Sequence, residues 1–461
     1  MTLIKSISGI RGTIGGAQGE SLTPIDIVKF SSAFAFWARQ KSGKNKIVIG
    51  RDARPSGKMV SDLVTGTVTA MGMDIIDLGL TTTPTVEMAV PEEDAAGGII
   101  LTASHNPVEW NALKLLNNLG EFVSAKDGSE ILELAESELH FAPVQNLGMV
   151  TEKDYMDYHI KAILALPEVD VDAIRSANLS IAVDAVNSTG GISIPPLLEA
   201  LGVSTIGKLY CEPHGNFPHN PEPLPAHLTE ISDLIKNGNY DLGITVDPDV
   251  DRLALICEDG SMFGEEYTLV SVADYILSTK PGNTVSNLSS TRALRDITIN
   301  KGGNYFAAAV GEVNVVSKMK DENAVIGGEG NGGIIYPGLH YGRDALVGIA
   351  LFLTHFVKKG LKMSDLRNSY PSYFMAKKKI QLTPDINVDR ILEEMAELYK
   401  DEQLNTIDGV KIDMENSWAH LRKSNTEPII RIYTEASTPD EANLLADKVI
   451  SEIEELKNSA N

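Results

Sequence analysis

Cysteine is almost missing from this chain: Cys211 and Cys257 are the only two in 461 residues. A disulfide framework is thereby excluded, a reducing compartment is implied, and both thiols read as packing residues. Basic residues are also short, 40 against 63 acidic ones, for a formal charge of −23. That balance excludes a broad nucleic-acid surface, although a few Arg and Lys can still focus on a small anion inside a cleft. Long apolar runs are lacking too. The opening stretch MTLIKSISGIRG has no secretory apolar core, and the best run, ALVGIALFLTHFV from Ala345, is too short to cross a bilayer. The expectation is a cytoplasmic protein with neither membrane nor nucleic acid as partner.

What is present is the balance of a folded globular protein, 43% hydrophobic and 22% charged. The length is about three times the ~150 residues of one domain, so several domains are expected. Short β-rich runs alternate with helix-length amphipathic segments. KIVIGRD from Lys46, MDIIDLG from Met73 and GGIILTAS from Gly97 read as strands, with helical spacing over 57–70 and 126–139. The pattern restarts with LSIAVDAVN from Leu179 and YDLGITVDPDVDR from Tyr240, which bracket helical segments at 194–200 and 228–236. A third set has a helix over 265–277, the strand NTVSNLSS and an apolar helix over 344–357. This is βαβ grammar in three similar α/β units. The end differs: strands at KKKIQLTPD, GVKIDM, SWAHLRKSN and PIIRIYTEA mix with helices over 388–399 and 438–457, an α+β domain. The expected domains are 1–150, 151–255, 256–370 and 371–461.

Four segments carry chemistry. GGIILTASHNP sets Ser104, His105 and Asn106 at the end of an apolar strand, where open α/β sheets carry ligands, though the same residues also make an ordinary turn. TVDPDVDR places Asp247, Asp249 and Asp251 at alternate positions, sharing one face of an extended chain. They can converge on one hard cation such as Mg²⁺ or form a solvated acidic loop, and the late glutamate of an EF-hand is missing. GGEGNGG offers Glu329 and Asn331 among five glycines, without the Gly-Lys-Ser/Thr ending of a Walker loop, and is otherwise a plain turn. LRKSNTEPIIRIYTEA gathers Arg422, Ser424, Asn425, Thr426 and Arg431 around a tight loop, either a phosphate nest or a solvated hairpin.

In this order the four segments resemble the α-D-phosphohexomutase family along essentially the whole chain. TASHNP is similar to its phosphoserine loop, DPDVDR to its Mg²⁺ loop, GEGNG to its sugar loop and RKSNTEPIIRIYTEA to its phosphate loop. GIRG at 9–12, GRDARPSG at 50–57 and FPHNPEP at 217–223 match as well. The resemblance implies four domains around a central cleft, three α/β and one α+β. It implies Ser104 as phosphoserine, with Asp247, Asp249, Asp251 and a Ser104 oxygen around Mg²⁺. Arg11, His105 and Lys114 fall at its catalytic positions, Lys114 as a proton shuttle if surrounding cations lower its pKa. Arg252, Glu329, Asn331, Arg422, Ser424, Asn425, Thr426 and Arg431 fall at substrate positions. The implied reaction interconverts a hexose 6-phosphate and its 1-phosphate through a bound hexose 1,6-bisphosphate, in a monomer or homodimer.

Two departures qualify the likeness. Ala112 follows Asn111 where the family often has Gly, and Gly333 ends the sugar loop where it often has His; His340 is the spatial substitute to look for. The loop GEGNGG resembles that of phosphoglucosamine mutases more than that of phosphomannomutase/phosphoglucomutases. Glucosamine phosphate is therefore the expected substrate. The first alternative is a phosphomannomutase/phosphoglucomutase acting on mannose or glucose phosphates; a metal-dependent sugar phosphatase and a non-catalytic sugar-phosphate sensor are the further rival readings.

Overall fold

The computed structural model describes residues 2–6, 9–381, 387–423 and 429–459, without the side chains of 6, 458 and 459. Among the described residues, twenty strands form four sheets.

The first sheet holds β1 (Ile4–Ser6), β2 (Gly9–Thr13), β3 (Lys46–Arg51), β4 (Asp74–Leu80), β5 (Gly97–Leu101), β6 (Trp110–Leu116) and β7 (Val150–Glu152). The second holds β8 (Ser180–Asp184), β9 (Thr205–Leu209), β10 (Leu242–Val246) and β11 (Leu253–Cys257). The third holds β12 (Asn283–Asn287), β13 (Tyr305–Ala308), β14 (Ala324–Glu329) and β15 (Gly333–Ile335). The fourth is antiparallel: β16 (Phe374–Gln381), β17 (Gln403–Asn405), β18 (Val410–Asp413), β19 (Trp418–Lys423) and β20 (Ile429–Ala436), backed by the helices Val388–Leu398 and Pro439–Ser459.

The similarity expected among the first three units appears in their strand order. β6-β5-β3-β4, β11-β10-β8-β9 and β15-β14-β12-β13 are the same arrangement. In each, three strands run parallel and the last returns antiparallel beside the third. The apolar run therefore ends in a hairpin rather than in another helix. The Ser104 loop joins β5 to β6, the triple-Asp loop joins β10 to β11, and the glycine loop joins β14 to β15. One topological position, repeated three times, holds the three loops singled out in the sequence.

The strands leading to the first two loops are buried along their whole length, which anchors each loop to a rigid layer. One apolar core runs through both the second and third sheets. The helix Ala345–Lys359, buried on nearly every side, supplies Leu346, Leu351, Leu353 and Phe352 to it, with Phe352 edge-on to Phe263 at 5.4 Å. The helix expected over 194–200 begins at Gly190, its first turn disguised by Gly190 and Gly191, which are poor helix formers. Burial raises the thiols of Cys211 to about 11 and of Cys257 to about 12, as suits packing residues. No described helix is long and apolar enough to cross a membrane.

Candidate functional site

Ser104 stands in a backbone conformation that its residue type rarely adopts, with φ +48°. The loop is held there by a buried arginine. Arg54 donates to the carbonyl of Ser104, to those of Asn106 at 2.7 Å and Pro107 at 2.6 Å, and through Nε to Asp52 at 2.9 Å. Thr102 donates to Asp52 at 2.6 Å and accepts from the Ser104 N–H at 2.9 Å. Local strain over-determined by its surroundings is a mark of functional loops. The motif GRDARPSG was visible in the sequence, but the part its Asp52 and Arg54 play in shaping the serine loop was not.

Facing it, the six-residue connection between β10 and β11 turns on Val250, a β-branched residue at φ +63°. Its carboxylates are fully buried and lie within 4.8 Å of one another. Asp247 Oδ1 accepts the N–H groups of Asp251 and Arg252, while Oδ2 accepts Ser104 Oγ at 2.6 Å. Asp249 Oδ2 accepts Thr83 Oγ1 at 2.5 Å and Lys114 Nζ at 2.6 Å. The other oxygens of Asp249 and Asp251 are buried and have no hydrogen-bond partner among the described residues. Burial together with Asp251 and Asp249 pushes the Asp247 carboxyl well above the ordinary range. Orphaned carboxylate oxygens converging beside a serine hydroxyl are a donor set that fits a hard cation, Mg²⁺ above all.

The expectation for Lys114 is corrected here. Its neighbours are not chiefly cations: Nζ lies 2.6 Å from Asp249 and 3.3 Å from Asp251. Burial pulls the ammonium down, but those two carboxylates outweigh it and hold the pKa above the ordinary lysine value. His105 goes the other way. Its Nδ1 lies 3.3 Å from Ser104 Oγ, and burial with Arg252, then Arg11 and Arg343, drives its pKa well below normal. The same electrostatics bring Arg11 and Arg252 to the serine loop. Arg11 pairs in register with Ala112 across β2 and β6, and Arg252 reaches Glu222 of the FPHNPEP segment at 3.4 Å.

Arg343 is the residue the sequence did not reveal. It donates to Asp251 at 2.7 Å, to Glu312 at 3.0 Å and to Glu329 at 3.0 Å. Burial lowers its pKa, but Asp251, Glu312 and Glu329 outweigh that and raise it well above normal. Glu329 also accepts from Asn287 at 2.8 Å and from the Gly311 N–H at 3.1 Å, so its carboxylate is fixed in orientation. Asn331 Oδ1 accepts the Gly333 N–H at 3.2 Å and is partly committed to the turn. A side chain at Gly333 would begin 2.4 Å from Arg343 Cδ, so the arginine occupies the room that a histidine there needs. His340 does not replace it: its ring nitrogens face Asp344 at 3.3 Å and Glu87 at 3.4 Å.

Arg422 and Arg431 stand directly opposite each other across β19 and β20, at the root of the last hairpin. Facing like charges are unfavourable unless an anion lies between or near them. Arg422 reaches Asp408 at 3.4 Å. Ser424, Asn425 and Thr426 lie outside the described residues.

Family models described as phosphoglucomutase/phosphomannomutase, alpha/beta/alpha domains I, II and III, match residues 3–140, 153–260 and 264–373, and the C-terminal domain model matches 380–452. The chain belongs to the phosphoglucomutase/phosphomannomutase family. It is 33% identical to a Thermococcus kodakarensis protein named phosphoglucomutase/phosphomannomutase, over 96% of this chain and 98% of that one. It is 32% identical to a Sulfurisphaera tokodaii phosphoglucosamine/phosphogalactosamine mutase, over 96% and 97%. A family structure from Burkholderia thailandensis superposes with TM-score 0.86 at 24% identity, covering 100% of this chain and 99% of that one. The protein is therefore a phosphohexomutase, and its four-sheet fold is that of the family.

Proposed function

We propose that this phosphohexomutase carries its transferable phosphoryl group on Ser104 and interconverts glucosamine 6-phosphate and glucosamine 1-phosphate. The observation that carries the reading is Ser104 Oγ at 2.6 Å from Asp247, beside carboxylate oxygens that have no hydrogen-bond partner among the described residues. Asp247, Asp249, Asp251 and an oxygen of the phosphorylated serine would hold Mg²⁺. When bound, that ion supplies neutralisation of the phosphoserine charge and polarisation of its phosphorus.

In the forward half-reaction the bond between phosphorus and Ser104 Oγ breaks as a sugar hydroxyl oxygen bonds to phosphorus, giving the 1,6-bisphosphate. That molecule turns end for end, and Ser104 Oγ takes back the other phosphoryl group. Lys114 enters as the ammonium, placed to neutralise charge and to protonate the departing serine oxygen. Neutral His105, 3.3 Å from Ser104 Oγ, would take the proton of the attacking sugar hydroxyl, the phosphoserine charge offsetting the arginines around it. Arg422, Arg431 and the 424–426 segment hold the phosphate that is not reacting, in either orientation. Arg252 and Arg11 steady the transferring group, and Glu329 with Asn331 addresses the sugar hydroxyls. We place the domain divisions near residues 150, 256 and 371 and read the enzyme as a cytoplasmic monomer or homodimer.

The choice of sugar rests on the glycine loop. Glu329 is fixed in orientation and offers acceptor oxygens to an ammonium at C2, while Arg343, paired to it at 3.0 Å, stands where a histidine at Gly333 would lie. Each such contact contributes roughly 1.5–3 kcal/mol, enough for a tenfold bias or more. The test is kcat/KM for glucosamine, glucose and mannose phosphates measured side by side on fully phosphorylated enzyme. A preference for glucose or mannose phosphate rejects the glucosamine assignment and leaves the mutase chemistry standing.

A further inference from the structure

Outside the transfer site, a second set of ligand-type side chains meets where three parts of the fold join. His159 comes from the helix Met156–Leu164, and His340 and Asp344 lead into the helix Ala345–Lys359. Thr85 and Glu87 come from the helix Thr83–Glu92. One ligand atom from each of His159, His340 and Asp344 lies within 4.8 Å of the others. His159 Nε2 is 2.9 Å and His340 Nε2 3.3 Å from the same Asp344 oxygen, Oδ2. Asp344 Oδ1 is already used, accepting the N–H groups of Leu346 and Val347 as a helix cap.

The far nitrogens tell what this group is built for. His159 Nδ1 lies 2.9 Å from Thr85 Oγ1, and His340 Nδ1 faces Glu87 Oε2 at 3.4 Å. The Glu87 side chain is only 1% exposed, and neither of its oxygens has a hydrogen-bond partner among the described residues. Gly342 leaves it room, since a Cβ there would lie 1.9 Å from Oε2. If both imidazoles gave their Nε2 hydrogens to Asp344, His340 would turn a lone pair toward this carboxylate. A cation between the two Nε2 atoms and Asp344 Oδ2 reverses both tautomers. Each Nδ1–H then donates outward, His159 to Thr85 and His340 to Glu87, and the orphaned carboxylate is satisfied. Ligating histidines are ordinarily braced in this way.

We propose that His159, His340 and Asp344 form a second cation site, separate from the aspartate triad, for a borderline divalent ion such as Zn²⁺. Two imidazoles and one carboxylate select such an ion over Mg²⁺, which takes oxygen donors. A fourth position is left for water. The ion rivets the helix carrying Glu87, the helix carrying His159 and the segment carrying His340, and it fixes Asp344 beside Arg343 of the transfer site.

Cobalt(II) is the probe, added to the full-length protein in excess Mg²⁺, because nitrogen-bearing low-coordinate sites absorb visible light far more strongly than octahedral oxygen sites. The expected result is one equivalent of intensely absorbing Co²⁺, retained in Asp249→Asn and lost in His340→Gln and His159→Gln. Zn²⁺ added under the same conditions should raise the melting temperature of the wild type and not of His340→Gln, whose partly exposed ring makes it the variant least disturbing to the fold. Weak octahedral absorption only, intense bands that persist in both histidine variants, or a wild-type melting temperature unmoved by Zn²⁺ each overturn the proposal. The junction is then closed by a proton on Glu87 instead.

Discussion

Arg343 and Asp251 meet at 2.7 Å, Nη2 to Oδ2, with both side chains buried. Through its other nitrogens Arg343 also binds Glu329 and Glu312, so one cation ties the aspartate loop to the sugar loop. Arg343→Met would leave Glu312 and Glu329 without the cation they share and Asp251 with Lys114 alone at 3.3 Å. Breaking a buried pair by removing one partner costs about 3–5 kcal/mol, and urea unfolding should show a loss of that size. Arg343→Lys keeps the charge but not the three-way fork. It should retain most of the stability while kcat/KM falls at least tenfold. Wild-type kinetics in the lysine variant would mean that the two loops act independently.

Ser104 offers a way to separate chemistry from conformation. Ser104→Ala and Ser104→Gly both remove the acceptor hydroxyl, so neither should take up phosphate from labelled bisphosphate or turn over substrate. Their stabilities should differ. Glycine tolerates φ +48° and alanine does not. The glycine variant should therefore match or exceed the alanine variant by about 1 kcal/mol in urea unfolding. A glycine variant clearly less stable than alanine would show that Arg54 does not hold the loop in this conformation.

Asp249→Asn removes one buried negative charge while keeping a side-chain oxygen in place. The Mg²⁺ concentration for half-maximal activity should rise at least tenfold, and maximal activity should fall. Chelation should silence the wild type, and added Mg²⁺ should restore it. Full activity after chelation is the result that removes the triad from the reaction.

Arg422→Lys keeps the charge facing Arg431 but loses planar two-point binding. On the proposed reading, in which one clamp serves both orientations of the substrate, KM should rise by a similar factor, on the order of tenfold, for the 1-phosphate and the 6-phosphate. A rise for one isomer alone would assign the distal phosphate to two different places.

The legibility of this protein divides by the range of the interaction. Strand runs such as 97–101 and 242–246 announce themselves because a fully buried strand is an unbroken apolar run, and the loops following them could be read as chemical. Arg343 could not, because nothing local marks it: its partners lie 92, 31 and 14 residues away. The sign of the Lys114 shift was lost for the same reason. Its cationic neighbours were inferred from motifs, whereas Asp249, 135 residues distant, makes the shortest contact. The equivalence of the three sheets was visible only as alternating grammar, since strand order is a long-range property without a local code.

His420 makes the junction between the third and fourth sheets sensitive to acid. His420 is almost fully buried, with Nε2 2.8 Å from the Asp408 carbonyl and Nδ1 2.9 Å from Ser289 Oγ. That pairing makes Nε2–H the donor and leaves Nδ1 to accept from the serine, the neutral form. Burial lowers its pKa to about 4, below the ordinary value of about 6.5. Between those values the unfolded chain binds a proton that the folded chain does not. The stability tied to His420 is thus complete above about pH 6.5 and is lost as pH falls toward about 4, by as much as ~3 kcal/mol. Its protonation would also break the acceptor side of the Ser289 contact, next to the arginines of the phosphate clamp. His420→Gln, whose amide can donate to Asp408 and accept from Ser289, should flatten this part of the acid limb in urea unfolding. The difference in stability between wild type and variant should therefore shrink steadily from pH 7 to pH 4. A difference that stays constant across that range would show that His420 titrates alike in both states and that the acid limb has another source.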